Sequence, residues 1–294
     1  MTEPKIGIIS PGDMGHSVGQ VLITNGLEVF TCLDSRSART RSLADTAGIL
    51  DLPSYRDLVE KVDILLSILV PAEAKSAAER IARALADTGA DLVYVDCNAI
   101  APGTACEIGD IIATAGGRFV DASIIGPPPR KPGLTRFYTS GPDADQFEVL
   151  NQYGLEVILI GDQVGQASAI KMCYASLTKG LTALCTELLT AAEALNVSEA
   201  LKREFQHSQP VLLERMQRGL PKMPPKSRRF VGEMEEIART FSSVGLTPKI
   251  LEGAADMYRF VGGTPLADRT PEEVDIPDLE SLIASLASHL PEIK

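Results

Sequence analysis

The sequence predicts an α/β fold with a doubly wound, mostly parallel sheet over residues 1–161, followed by an all-α domain over residues 162–294. Three observations predict it. Short β-branched apolar runs alternate with helical stretches through the first half, which is the pattern of strand–helix–strand units. The first apolar run meets the first helical stretch at a glycine-bearing bend. Beyond about Asp162 the strand runs stop, and helical periodicity punctuated by Pro and Gly remains.

The elements follow in order. Residues 5–9 form a compact strand, and 12–25 form a helix with Val18, Val21 and Leu22 on one face. A strand over 28–33 and a helix over 39–46 come next. The apolar run 62–70 ends at Pro71 and leads into an alanine-rich helix over 72–87. Strand 91–95, helix 101–115 and strand 118–123 continue the alternation. Two further strands, 136–140 and 156–160, close the region. From 162 to 195 one stretch rich in Ala, Leu and Thr predicts a helix about 50 Å long at ~1.5 Å per residue. Gly180 inside it costs stability unless another backbone packs closely there. The later helices are 198–205, 228–244, 248–260 and 279–290, and 218–225 (RGLPKMPP) is expected to be a loop.

Composition removes several functions. Lys and Arg number 28 against 39 Asp and Glu, a net charge of −11 that opposes non-specific nucleic-acid binding. No window of 18 uninterrupted apolar residues occurs, so no membrane span is expected. The first residues lack the basic region, apolar stretch and cleavage site of a secretory signal, so the expected location is cytoplasmic. The cysteines Cys32, Cys97, Cys106, Cys173 and Cys185 include no Cys-x-x-Cys. With only His16, His207 and His289 beside them, no metal site is expected.

The bend at 10–15 carries the first chemistry. The usual dinucleotide fingerprint is Gly-x-Gly-x-x-Gly, and here Ser10, Pro11, Gly12, Asp13, Met14 and Gly15 occupy it, with Ser10 at the first glycine position. Gly12 would let backbone approach a pyrophosphate, and Gly15 would let the helix pack on the strand. The helix N-terminus supplies amide donors and a positive dipole end. Asp34 ends the second strand, where an acid meets an adenosine ribose and repels a 2′-phosphate. Ser35, Arg36 and Arg39 follow, and arginine there can hold a 2′-phosphate. NAD is therefore favoured, with NADP left open. Leu69, Val70 and Pro71, and Asn98, sit at other strand ends where a Rossmann crevice takes its ligand.

With these residues in view, the chain resembles the β-hydroxyacid dehydrogenase family, which includes 3-hydroxyisobutyrate dehydrogenase. Gly12-Asp13-Met14-Gly15 is similar to its Gly-x-Met-Gly turn. The stretch Asp121-Ala122-Ser123-Ile124-Ile125-Gly126 is similar to its substrate-binding Asp-Ala-Pro-Val-Ser-Gly. The stretch Gly165-Gln166-Ala167-Ser168-Ala169-Ile170-Lys171 is similar to its catalytic Gly-x-Gly-x-x-x-Lys helix. The second half looks closer to a 6-phosphogluconate-dehydrogenase-like branch, through Ile125-Gly126-Pro127-Pro128-Pro129 and the run from Gly232 to Ala238. A true 6-phosphogluconate dehydrogenase has a much longer helical domain, so that activity is set aside. Three positions depart from the family pattern. Ala175 stands where an asparagine follows the catalytic lysine by one turn. Ile125 stands where a serine precedes the loop glycine, and Gly232-Glu233 replaces a Lys-Asp pair.

The resemblance implies hydride transfer between nicotinamide and the carbinol or carbonyl carbon of a small, anionic hydroxy acid. Such a transfer needs one proton donor or acceptor beside the cofactor. Lys171 takes that role, with Ser123 beside it. Ser123, Ile124, Ile125 and Gly126 line the substrate side, together with Arg130 from the loop 127–133 (PPPRKPG) and Glu233 and Arg229 from the second domain. Lys179, two turns past Lys171, reads as packing or an ion pair. Two other readings stay open, an imine reductase on the same scaffold and a dinucleotide-binding sensor without turnover. The family's long central helix implies a homodimer, and a small molecule is the only other partner expected.

Overall fold

Strands that carry no polar face must lie in a sheet covered on both sides. The computed structural model, which describes residues 3–268 and 276–291, builds such a sheet from eight strands. The first half runs β1 (Ile6–Ile9), α1 (Asp13–Thr24), β2 (Val29–Thr31), α2 (Ala38–Ala47), β3 (Leu50–Asp51) and α3 (Tyr55–Lys61). It continues through β4 (Ile64–Ser67), α4 (Pro71–Thr88), β5 (Val93–Asp96), α5 (Pro102–Thr114) and β6 (Arg118–Ile125). Then come β7 (Arg136–Ser140), the single turn α6 (Asp145–Glu148) and β8 (Val157–Gly161).

The spatial order is β3-β2-β1-β4-β5-β6-β7-β8. The strands from β3 to β6 are parallel. Strand β7 then pairs antiparallel with β6, and β8 runs parallel to β7. The doubly wound, mostly parallel expectation therefore holds. The chain starts in the middle at β1 and reverses its lateral direction between β1 and β4, which opens a crevice at the carboxyl ends of these strands.

Alternate side chains feed two cores. Ile6, Ile8, Ile64, Leu66, Val93 and Val95 pack with Val18 and Leu22 of α1 on one face. Ile9, Leu65 and Tyr94 pack with Ile81 and Leu85 of α4 and Ile108 and Ile112 of α5 on the other. Each such side chain, fully buried, contributes about 1.5–3 kcal/mol. That burial holds the strand ends, and the turns they carry, in fixed register.

The second half is helical. Helix α7 (Gln166–Ala194) is followed by α8 (Ser198–Ser208), α9 (Pro210–Gly219), α10 (Ser227–Ser243), α11 (Lys249–Gly262) and α12 (Leu279–Ser288). The chain divides into two compact units at 172/173, one of residues 1–172 and one of 173–294. The division falls inside α7. In the second unit α10 and α11 bury Met234, Ile237, Ala255, Tyr258 and Val261. The Tyr258 hydroxyl donates to Lys179 O at 2.7 Å. No helix among the described residues is long and apolar enough to cross a membrane.

Four elements escaped the periodicity. Strand β3 has two residues, and α3 is a seven-residue helix capped by Ser54, whose hydroxyl accepts from Asp57 N. Turn α6 has four residues. Helix α9 begins with Pro210 at its first turn and buries Leu213 and Met216. The segment 218–225, expected to be a loop, instead finishes α9 and forms two 3-10 turns. Its prolines sit at first-turn positions, where no amide hydrogen is missed, and Leu220, Pro221, Met223 and Pro224 are buried.

Candidate functional site

The β1–α1 turn is built around Ser10, which adopts φ +60, and Gly12, which caps α1. The left-handed conformation costs a residue with a side chain about 1 kcal/mol or more. It bends the chain so that Gly12 N–H donates to Ser10 O at 2.7 Å. Gly12 has no side chain to cap the helix, so the amides of Asp13, Met14 and Gly15 have no intrahelical acceptor and no side-chain cap. A Cβ on Gly12 would come no nearer to the protein than 4.0 Å, at Ser10 O, so the space above it is open. A Cβ on Gly15 would lie 3.1 Å from Ser10 O and 3.3 Å from Ile8 Cγ2, so α1 packs tightly on β1 there. Open space, bare amides and the helix dipole together fit a pyrophosphate.

Asp34 and Ser35 are exposed just beyond β2, with Ser35 at φ +58. The arginines nearby face protein groups. Arg36 donates to Tyr55 Oη at 3.1 Å, Arg41 to Leu33 O at 2.5 Å, and Arg39 pairs with Asp13 at 2.5 Å.

At the ends of β4 and β5, Asn98 is buried and its amide is spent on protein. Its Oδ1 accepts from Leu69 N at 2.5 Å, and its Nδ2 donates to Ser67 Oγ and Asp96 Oδ2, each at 2.9 Å. Asn98 thus fixes the backbone leading to Val70 and Pro71, with Val70 exposed at the N-cap of α4. Asp96 also accepts from Asn98 N at 2.9 Å. Burial pushes its carboxyl up to about 7, against the lowering effect of the Asn98 donors.

Lys171 lies in the second turn of α7 and is half-buried. Its Nζ donates to Ile124 O at 2.5 Å, near the carboxyl end of β6. Ala175, one turn on, is buried. Ser123 is placed differently from the sequence reading. It is wholly buried, and its hydroxyl donates to Ala167 O at 2.6 Å rather than facing a substrate. Strand β6 points successive side chains to opposite faces, and Ser123 shares the α7 side with Asp121. Ile125 is buried, while Gly126 is exposed at φ +134, where a Cβ would strike Leu134 O at 2.2 Å.

Asp121 received no role from the sequence. Its Oδ2 accepts from Gly165 N at 2.8 Å, Ser168 N at 3.0 Å and Ser140 Oγ at 3.1 Å, and its Oδ1 accepts from Ser168 Oγ at 2.7 Å. Burial raises its carboxyl and these donors lower it, with a net upward shift. The available signal was an acid inside an otherwise apolar strand.

Arg130 is exposed and lines a groove of about 520 Å³ with Lys131, Gln20 and Thr24 of α1. Lys171, Ser123 and Ile124 do not line it. Glu233, in the helical unit, is buried and pairs with Lys179 and with Arg229, the latter at 3.4 Å. Lys179 therefore lies in an ion pair.

Comparison with known proteins bears on the fold that carries these residues. Residues 5–151 match the NAD binding domain of 6-phosphogluconate dehydrogenase, and residues 192–261 match a domain of unknown function (DUF1932). A solved conserved protein, described as structurally similar to 3-hydroxyacid dehydrogenases, is 32% identical, with 88% of this chain and 100% of that chain covered and a TM-score of 0.65. A 28.5 kDa protein of Methanothermus fervidus is 28% identical over 258 residues, 87% of this chain and 98% of the relative. The 3-hydroxyisobutyrate dehydrogenase of Mycobacterium tuberculosis shares the fold at 17% identity, covering 96% and 99% of the two chains, with a TM-score of 0.69. An imine reductase from Myxococcus stipitatus shares it at 17% identity, covering 88% and 93%, with a TM-score of 0.56.

Two measurements test this site. Gly12→Ala meets no protein atom, so its urea midpoint should match the parent, while dinucleotide affinity should fall tenfold or more, by about 1.4 kcal/mol or more. Equal affinity would place the pyrophosphate elsewhere. Asp96 sets a pH signature. Its pKa rises from 3.8 unfolded to about 7 folded, so the stability it leaves intact below pH 3.8 is lost as pH rises towards 7. The full effect is on the order of 4 kcal/mol. Relative to Asp96→Asn, the parent should lose stability between pH 4.5 and 7 (roughly, from that shift) in urea unfolding. Parallel curves would contradict this.

Proposed function

The chain belongs to the family built on the NAD binding domain of 6-phosphogluconate dehydrogenase, and from that premise we propose that it is a nicotinamide-dinucleotide-dependent oxidoreductase. Its substrate is a small anionic hydroxy acid or the matching carbonyl compound, and Lys171 is the general acid and base. One observation carries this reading. The uncapped turn of α1 follows the carboxyl end of β1, and the Lys171 ammonium is held on Ile124 O near the carboxyl end of β6, a strand of the same parallel set.

A bound nicotinamide supplies or accepts the hydride. The amides of Asp13, Met14 and Gly15 hold the pyrophosphate, and Asn98 positions the Leu69–Val70 backbone along the crevice. Ile124 O orients Lys171, which gives a proton to the carbonyl oxygen in reduction and removes one from the hydroxyl in oxidation. Asp34, exposed just beyond β2, takes the adenosine ribose. Arg36, Arg39 and Arg41 are directed at Tyr55, Asp13 and Leu33, which supports NAD over NADP.

Imine reduction is the second reading. Ala175 favours it, because the buried methyl leaves no polar group one turn after Lys171. We also infer a homodimer. Helix α7 exposes Tyr174, Leu177 and Leu184 at spacings of three and seven residues, an apolar stripe suited to a second copy.

A panel of hydroxy acids, carbonyls and imines, followed by nicotinamide absorbance with both cofactors, identifies the substrate class. Lys171→Met should then lower kcat by about 10²–10⁴-fold while leaving dinucleotide affinity unchanged. Undiminished turnover would remove Lys171 from the chemistry, and turnover of no compound would leave a sensor. Sedimentation should give a species of twice 31.4 kDa, and a profile of 31.4 kDa alone would exclude the dimer.

A further inference from the structure

We propose that Asp121 is a positioning residue for Lys171, clamping the first turn of α7 to β6 and so fixing where the ammonium stands. The proposal rests on Lys171 being the proton-transfer group.

Among the described residues the Asp121 carboxylate accepts four hydrogen bonds, two from backbone amides and two from hydroxyls. Three of the four come from residues 165 and 168, at the start of α7. The fourth extends the clamp, because Ser140 Oγ donates to Asp121 and accepts from Ala167 N at 2.9 Å. The Ser123 hydroxyl donates to Ala167 O. Residues 165, 167 and 168 are thus tied to β6 and β7 by side chains that reach across the fold.

Lys171 lies three residues past Ser168, on the same helix face. Its Nζ returns to Ile124 O, three residues past Asp121 on β6. The contacts close a ring, from Asp121 to Ser168, along one turn of α7 to Lys171, and back to β6. A shift of the first turn would move Lys171 with it.

An ordinary helix cap does not need this arrangement. Helices α2, α3 and α12 are capped by Ser37, Ser54 and Asp278, each the residue just before its helix. Such a cap satisfies the amides without itself tying the helix to another element. A carboxylate from a strand 44 residues earlier satisfies the same amides and also fixes the helix on the sheet. It does so buried, in register beside Asp96, at a desolvation cost that a surface cap avoids.

The test uses the full chain with Asp121→Asn and, as a milder change, Ser168→Ala. Asp121→Asn sets an NH₂ group among donors, and Ser168→Ala removes one hydroxyl. Five quantities are measured: the acylation rate of the Lys171 amine by an amine-reactive ester, resolved by mass spectrometry against Lys179; dinucleotide affinity; the urea midpoint; and kcat and KM on a substrate from the panel. Asp121→Asn should change Lys171 acylation several-fold and lower kcat about 10²-fold, with KM and dinucleotide affinity unchanged. Ser168→Ala should move the same two quantities in the same direction by less, and it decides the matter if Asp121→Asn does not fold. Unchanged Lys171 acylation in a folded variant overturns the proposal. So does a kcat loss that only tracks the loss of folded protein. If Lys171→Met keeps full turnover, the catalytic reading fails, while the acylation rates still report on the clamp.

Discussion

Three amides at the start of α1, those of Asp13, Met14 and Gly15, have no acceptor within the helix, and their N-cap has no side chain to offer one. Around that deficit the first unit is arranged. Strand β1 lies inside the sheet, third of its eight strands, where the strand order reverses, so the donors emerge at the crevice and not at an edge. Gly15 lets α1 approach β1 closely enough to aim them. Ser10 accepts a strained φ to make the bend, and Gly12 leaves the space above open. A helix start left bare in this way is stabilised by an anion, and a dinucleotide pyrophosphate has the charge and shape for it.

The same edge of the sheet stores cost elsewhere. Asp96 and Asp121 are paired in register on β5 and β6, and both are buried. A core built for stability alone would place apolar residues there. Asp96 holds Asn98, which holds the backbone after β4. Asp121 holds the start of α7. These two departures from an apolar interior thus hold the backbone around the candidate chemistry, as expected where local rules yield to function.

Much of this was legible in the sequence, for physical reasons. Buried parallel strands must be apolar along their whole length, so β1, β4 and β5 announce themselves. The turn at 10–15 was readable because glycine serves both open space and close packing. Elements whose stability is tertiary were not readable. Strand β3 is two residues long, and α9 buries only Leu213 and Met216. The roles of Asp121 and Ser123 were hidden because their partners lie 19 to 47 residues away, and a sequence does not record which way a hydroxyl points. The resemblance marked 121–126 as one functional stretch. The structure divides it into a carboxylate and a hydroxyl that hold α7, a carbonyl at Ile124 that orients Lys171, and a glycine that keeps clear of Leu134 O.

The central claim is that the bare turn of α1 holds a nicotinamide dinucleotide. Calorimetric titration of the full chain with oxidised and reduced NAD and NADP tests it most directly. Saturable binding of at least one of them, at one equivalent per chain, is the predicted result. Four titrations without saturation would contradict it.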